Sequence, residues 1–108
     1  MISSDVIRGY NDLIILSLLR EQPSYGYDIS RQIRTISEER YIIKETTLYS
    51  AINRLEKQGF IESYFAHGEF GRVRTYYRIT AAGRAYYREK CREWDLTKSV
   101  INQFIRES

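Results

Sequence analysis

The hydrophobic period of the chain changes at Gly59, and that change limits what the rest can fold into. Before it, Leu48, Ile52 and Leu55 recur at helical steps with Ala51 beside them, so residues 45–58 are predicted to form an amphipathic helix. A glycine just past the last periodic residue is the expected left-handed stop. After it, residues 60–65 alternate loosely, and residues 72–79 are dense in the β-branched and aromatic types that suit a pleated surface. Gly68 and Gly71 bracket a short turn between these runs, which signals a hairpin.

Two more helical patterns precede this unit. Residues 4–20 carry Val6, Ile7, Leu13, Ile14, Leu16, Leu18 and Leu19, apolar on nearly every side, as expected of a helix buried by several neighbours. Ser4 or Asp5 is the expected cap, and Pro23 closes the segment. Ser24 reads as the cap of a helix over residues 25–36, with Tyr25, Ile29, Ile33 and Ile36 on its buried side and Tyr27 and Arg31 off it. Residues 37–40 form a polar connection, and Tyr41, Ile42 and Ile43 are either a short strand or a buried extended link. Thr80 caps a last helix over residues 81–106, roughly 40 Å long at the usual rise and longer than so small a body can cover.

The order is therefore helix, helix, helix, hairpin, helix. The predicted class is α+β, mostly α: a winged helix-turn-helix with a long C-terminal dimerisation helix. Residues 1–79 form the winged unit, whose first helix also joins the dimer interface, and residues 80–108 form the dimerisation segment.

The 108 residues suffice for one such body, and a 43% apolar content supplies its core. The net charge of +3 is compatible with a polyanionic partner without requiring one. There is neither a secretory leader pattern nor an apolar run of bilayer length, so a cytoplasmic protein without membrane contact is expected. One cysteine and one histidine exclude an internal disulfide and a metal cluster of thiolates and imidazoles. His67 reads as a solvated turn residue and Cys91 as a small apolar one. No phosphate-binding glycine loop occurs, so neither a catalytic residue, a cofactor nor a metal is expected, and the chain is not expected to be an enzyme.

The outward side of the 45–58 helix carries Thr46, Thr47, Tyr49, Ser50, Asn53, Arg54 and Lys57. Such a helix fits a major groove about 12 Å wide and offers hydroxyl, amide and guanidinium groups to base edges. Arg72 and Arg74 stand two apart in the second hairpin strand, with Arg78 in the same parity, where a wing reaches phosphates or the adjacent minor groove. A solvated helix and strand account for the same residues. The scarcity of acids on the helix, with Glu45 and Glu56 only at its flanks, favours double-stranded DNA. A protein-interaction module with salt-independent binding is the alternative, and a small-molecule carrier built around Trp94 is a third reading.

In the last helix Tyr87, Trp94 and Ile101 recur every seven residues, with Cys91 and Ile105 on the same flank. Leu96, Val100 and Phe104 form a second apolar row. Two apolar rows on an overhanging helix point to burial against a second copy of the chain, although both could pack on the first helix of one subunit. Lys98 interrupts the seam, which argues against a continuous coiled coil. A dimer would hold two reading helices about 34 Å apart, the spacing of a palindromic operator.

Taken together, several segments resemble PadR-type transcriptional regulators: Tyr25-Gly26-Tyr27-Asp28-Ile29, Thr47-Leu48-Tyr49, Arg54-Leu55-Glu56-Lys57 with Gly59-Phe60-Ile61, and Arg74-Thr75-Tyr76-Tyr77-Arg78-Ile79-Thr80 with Gly83. The single C-terminal helix is similar to that of the compact subfamily containing multidrug-sensing repressors. The resemblance implies a homodimeric repressor whose first and last helices form the interface. Thr46, Thr47, Tyr49, Ser50 and Asn53 then face DNA, with Arg72 and Arg74 on the wing. It also implies a place for a small aromatic effector, with Trp94 as stacking platform, Val6, Gly9 and Leu13 beside it, and Lys98 a turn beyond. Trp94 equally fits a plain interface anchor that closes such a pore. Two residues depart from the family pattern. Ser50 stands where many members have proline, and Lys98 places a cation where a drug-binding member carries an acid, which would favour neutral or anionic aromatics.

Overall fold

The computed structural model describes residues 1–106, so the last two residues of the expected dimerisation segment lie outside the described residues. In chain order the elements are α1 (Ser4–Ile7), a 3-10 turn at Arg8–Tyr10, α2 (Asn11–Glu21), β1 (Ser24–Tyr25), α3 (Gly26–Ile36), α4 (Glu45–Lys57), β2 (Ile61–His67), β3 (Val73–Ile79) and α5 (Ala81–Phe104). This is the α+β, mostly α winged-helix arrangement with a long last helix.

The first helical pattern is thus two helices. Ser3, one residue before the expected caps, accepts from the Val6 amide and starts α1. The break at Arg8–Tyr10 tightens the chain around Gly9 before α2 begins. The core comes mainly from Ile15, Leu16 and Leu19 of α2, Ile29 and Ile33 of α3, and Leu48, Ala51, Ile52 and Leu55 of α4, closed by Ile61 and Tyr77 of the hairpin. α2 lies centrally, packing on α3, α4, α5 and β3.

Ser24 is not a helix cap. It is buried in β1, where Ser24 pairs with Tyr77 and Tyr25 with Tyr76, making a three-stranded antiparallel sheet of order β1-β3-β2. Its hydroxyl donates to Asp28 (2.7 Å) within the first turn of α3. Two consecutive residues carry no readable period, so only pairing with β3 makes them a strand. Ile36 also departs from expectation: it is 66% exposed, because α3 ends there and the chain turns away through Glu38 and Glu39, both at positive φ.

Residues 41–43 form the extended link, not a strand. Tyr41 and Ile43 are buried, and the Tyr41 hydroxyl donates to the side-chain amide oxygen of buried Asn11 at 2.6 Å, tying the link to α2. Burial pushes the Tyr41 phenol pKa upward, against the opposing effect of the Asn11 contact.

Gly59 stops α4 at φ 79°, as the sequence requires. The Gly59 and Phe60 carbonyls then accept from the Thr80 hydroxyl (2.7 Å) and amide (3.0 Å). Thr80 in turn caps α5 by accepting from the Gly83 amide at 3.0 Å. Phe60 stacks on Tyr86 at 4.2 Å, so the start of α5 is bolted to the end of α4.

Candidate nucleic-acid interface and the pocket behind it

The apolar stripe of α4 is drawn into the core, which turns Thr46, Ser50, Asn53 and Lys57 outward, with Thr47 half-buried and Tyr49 38% exposed. Ser50, Asn53, Glu56 and Lys57 border an open groove along this side. Tyr49 leans across to α3, and its hydroxyl occupies the space a side chain on Gly26 would need. The recognition-helix candidate is thereby fitted against the helix before it.

β3 approaches the same region. Tyr25, Gly26 and Tyr27 at the start of α3, Tyr49 of α4, and Val73, Arg74, Thr75 and Tyr77 of β3 line one cleft of about 300 Å³. Tyr77 is buried beneath it; burial first, then the nearby Tyr49 and Glu56, push its phenol pKa up. Ser63 donates to Glu56 at 2.6 Å, so this acid is engaged by β2.

The two wing arginines differ. Arg72 is exposed and lies in the hairpin turn just before β3, its carbonyl accepting from the Gly68 amide at 2.7 Å. Arg74 is half-buried on β3, its guanidinium 4.6 Å over the Tyr25 ring. Its Nε is shielded and has no hydrogen-bond partner among the described residues. The row continues through Tyr25 and Tyr76 (5.3 Å), Tyr76 and Tyr64 (5.8 Å), then Arg78 over Tyr64 (4.8 Å). Arg78 is already paired with Glu62 at 2.7 Å. Strand pairing at β1 is what brings Tyr25 to Arg74, and the alternation of β3 alone did not reveal it. At the wing tip Phe65, Phe70 and Val73 are exposed, Phe70 at φ 63°.

Arg54 borders the outward groove together with Ser50 and Asn53 and also reaches back to α2. Its guanidinium donates to the Asp12 carboxylate of α2, toward the opposite flank of the helix.

That flank leads to Trp94. A pocket of about 210 Å³ is lined by Gly9, Tyr10, Leu13 and Trp94, with Asp12, Arg54, Lys90 and Glu93 around it. Gly9, Leu13 and Trp94 therefore lie along one pocket. Val6 is exposed and outside this lining, and Lys98 sits with its ammonium 5.6 Å from the Trp94 ring while pairing with Asp95 at 3.4 Å. Tyr10, not foreseen, meets Trp94 edge to face at 4.9 Å. Lys90 pairs with Glu93 at 3.2 Å, and that hydrogen bond, with Tyr86 beside it, raises the lysine's pKa.

Along α5, Tyr87 and Cys91 are half-buried, and Tyr87 packs on the core under Arg20, whose guanidinium lies 5.3 Å from its ring. Beyond Trp94 the helix is bare: Leu96, Val100, Ile101, Phe104 and Ile105 are all exposed, Phe104 at 78%. Among the described residues no group of acids, histidines and cysteines could hold a metal ion, and no helix is long and apolar enough to cross a membrane.

Residues 15–89 match the transcriptional regulator PadR-like family. The chain belongs to that family. It is 62% identical to a transcriptional regulator from Clostridium thermocellum, whose structure superposes with a TM-score of 0.90 over 98% of this chain and 100% of that one. A PadR family transcription regulator from Clostridium difficile is 36% identical, with a TM-score of 0.77 over 88% of this chain and 97% of that one. An uncharacterised protein of Lysinibacillus sphaericus is 45% identical over 105 residues, covering 97% of this chain and 96% of that one. A PadR-like chain is a DNA-binding transcriptional regulator.

Proposed function

We propose that this PadR-like regulator is a sequence-specific, homodimeric repressor acting in the cytoplasm on a palindromic operator. Thr46, Thr47, Ser50 and Asn53 read bases in the major groove, and Arg72 and Arg74 hold the flanking backbone from the wing. The observation that carries this reading is the cleft shared by α3, α4 and β3, where Tyr49 meets Gly26 and Arg74 overlies Tyr25. Through Tyr49 it brings α4 close to the wing cation Arg74, which supports base readout from the helix combined with phosphate anchoring from the wing.

Dimerisation is supported by the row from Leu96 to Ile105, which is too apolar and continuous to be a typical solvated helix end. Trp94, Ile101 and Ile105 belong to the interface, with Tyr87 and Cys91 supporting it from the side packed on α2. A small aromatic effector at Trp94 fits the same scheme. The pocket of about 210 Å³ on one protomer falls below the roughly 300 Å³ that ligand sites begin at, so a ligand would need walls from both copies. Lys98 over the Trp94 ring favours neutral or anionic aromatics.

An electrophoretic shift with the DNA upstream of the protein's own gene tests the proposal. Retardation that survives excess unrelated duplex is expected. Absence of a shift at low salt, or a shift indifferent to sequence, defeats it.

A further inference from the structure

Arg54 is the α4 side chain that lines the Trp94 pocket, and it also borders the groove containing Thr46, Thr47 and Ser50. Its ion pair with Asp12 spans 42 positions of sequence and joins α4 to α2. Asp12 is largely covered, its side chain 19% exposed, while Arg54 stays 49% exposed, so the guanidinium meets the acid from the solvent side.

We propose that Arg54 is a positioning residue: it serves DNA binding through Asp12, by fixing the cant of α4 on α2, and touches neither base nor phosphate. This rests on the DNA-binding reading above. A phosphate brought to this guanidinium would also approach the Asp12 carboxylate, and two like charges at that range oppose each other. The apolar stripe of Leu48, Ala51, Ile52 and Leu55 packs α4 into the core and Tyr49 seats it against α3, contacts to which a charged pair adds a directional hold. A guanidinium–carboxylate contact near the C-terminal end of α4 supplies the direction. α2 carries Asp12 next to Leu13, a wall of the Trp94 pocket, and packs along α5. The same joint therefore connects the reading helix to the helix pair behind it.

The test uses a duplex selected from a random pool by the wild-type protein, with dissociation constants measured across a series of salt concentrations. Wild type is compared with Arg54→Gln, Asp12→Asn, the double variant, and the charge-swapped pair Asp12→Arg with Arg54→Asp. Each single variant is expected to lose roughly threefold to tenfold in affinity, with the double variant no weaker than the poorer single, as for two ends of one interaction. The slope of log affinity against log salt stays at the wild-type value, since no phosphate contact is removed. The charge-swapped pair recovers most of the loss, and melting temperatures measured alongside separate misplacement of α4 from unfolding. If either single variant fails to fold, the charge-swapped pair decides. The proposal is overturned if Arg54→Gln lowers the salt slope by about one while Asp12→Asn binds as tightly as wild type or tighter. It is equally overturned if the single variants bind like wild type, or if the swap restores nothing. A wild-type protein that selects no duplex would instead bring down the DNA-binding reading itself.

Discussion

The Tyr49 hydroxyl stands where a side chain on Gly26 would have to be, so a methyl group there would displace the Tyr49 ring from its place between α4 and α3. Gly26→Ala is therefore expected to cost about 1–3 kcal/mol through overpacking. In a Tyr49→Ala background that cost should largely vanish, because the obstructing ring is gone. Denaturant titration of the four proteins checks this. An equal cost in both backgrounds would show that the alanine acts elsewhere.

Asp28 gives the fold a pH dependence of known sign. Burial raises its pKa, but the hydrogen bonds from Ser24, Arg31 and Gln32, together with the Arg31 charge, outweigh burial and leave it below the ordinary carboxylate value. A depressed folded pKa contributes stability that is fully present above the ordinary value of about 4 and is lost as pH falls through the lower, folded value. Asp28→Asn should therefore be less stable than wild type near neutrality, with the gap closing as the pH falls below about 4. Melting curves across that range measure it, and a gap that widened on acidification would be inconsistent with the ion cluster.

Arg74→Ala should weaken DNA binding and reduce the salt slope by about one, because a single phosphate partner is lost. Arg74→Lys should recover only part of the affinity. An ammonium lacks the flat guanidinium that lies on Tyr25, so it is held less firmly. Fluorescence anisotropy at several salt concentrations reads both effects, and an unchanged slope in Arg74→Ala would remove the arginine from the interface.

Trp94 is the chain's single tryptophan, so its emission reports on the pocket directly. Planar anionic aromatics should quench it more strongly than planar cations of similar size, because Lys98 lies over the ring. Lys98→Glu should reverse that order. Quenching titrations with one anionic and one cationic dye, on both proteins, make the comparison. A preference for the cation in the wild type would contradict the assignment.

The parts that were legible in the sequence are those governed by neighbours a few residues apart. Gly59 ends α4 because a left-handed stop is written in one residue, and Thr80 caps α5 because its acceptor and the Gly83 amide lie three positions apart. What was not legible depends on distant partners. Ser24 and Tyr25 look like a helix start until β3 pairs with them, and only then does Tyr25 reach Arg74. Arg54 looks like one more donor on the outward side of α4, and its turn toward Asp12 is set by how two helices pack. Tyr10 shows the same limit. Its contact with Trp94 follows from the break at Arg8–Tyr10, which the apolar pattern of the first segment gave no reason to expect.

Two copies of α4 reading one operator would leave a symmetric footprint. Hydroxyl-radical footprinting of the wild-type protein on its selected duplex tests it most directly. Two protected tracts are expected, symmetric about the centre of a palindrome and about one helical turn, roughly 34 Å, apart. A single protected tract on an asymmetric site, or protection spread evenly along any duplex, would contradict it.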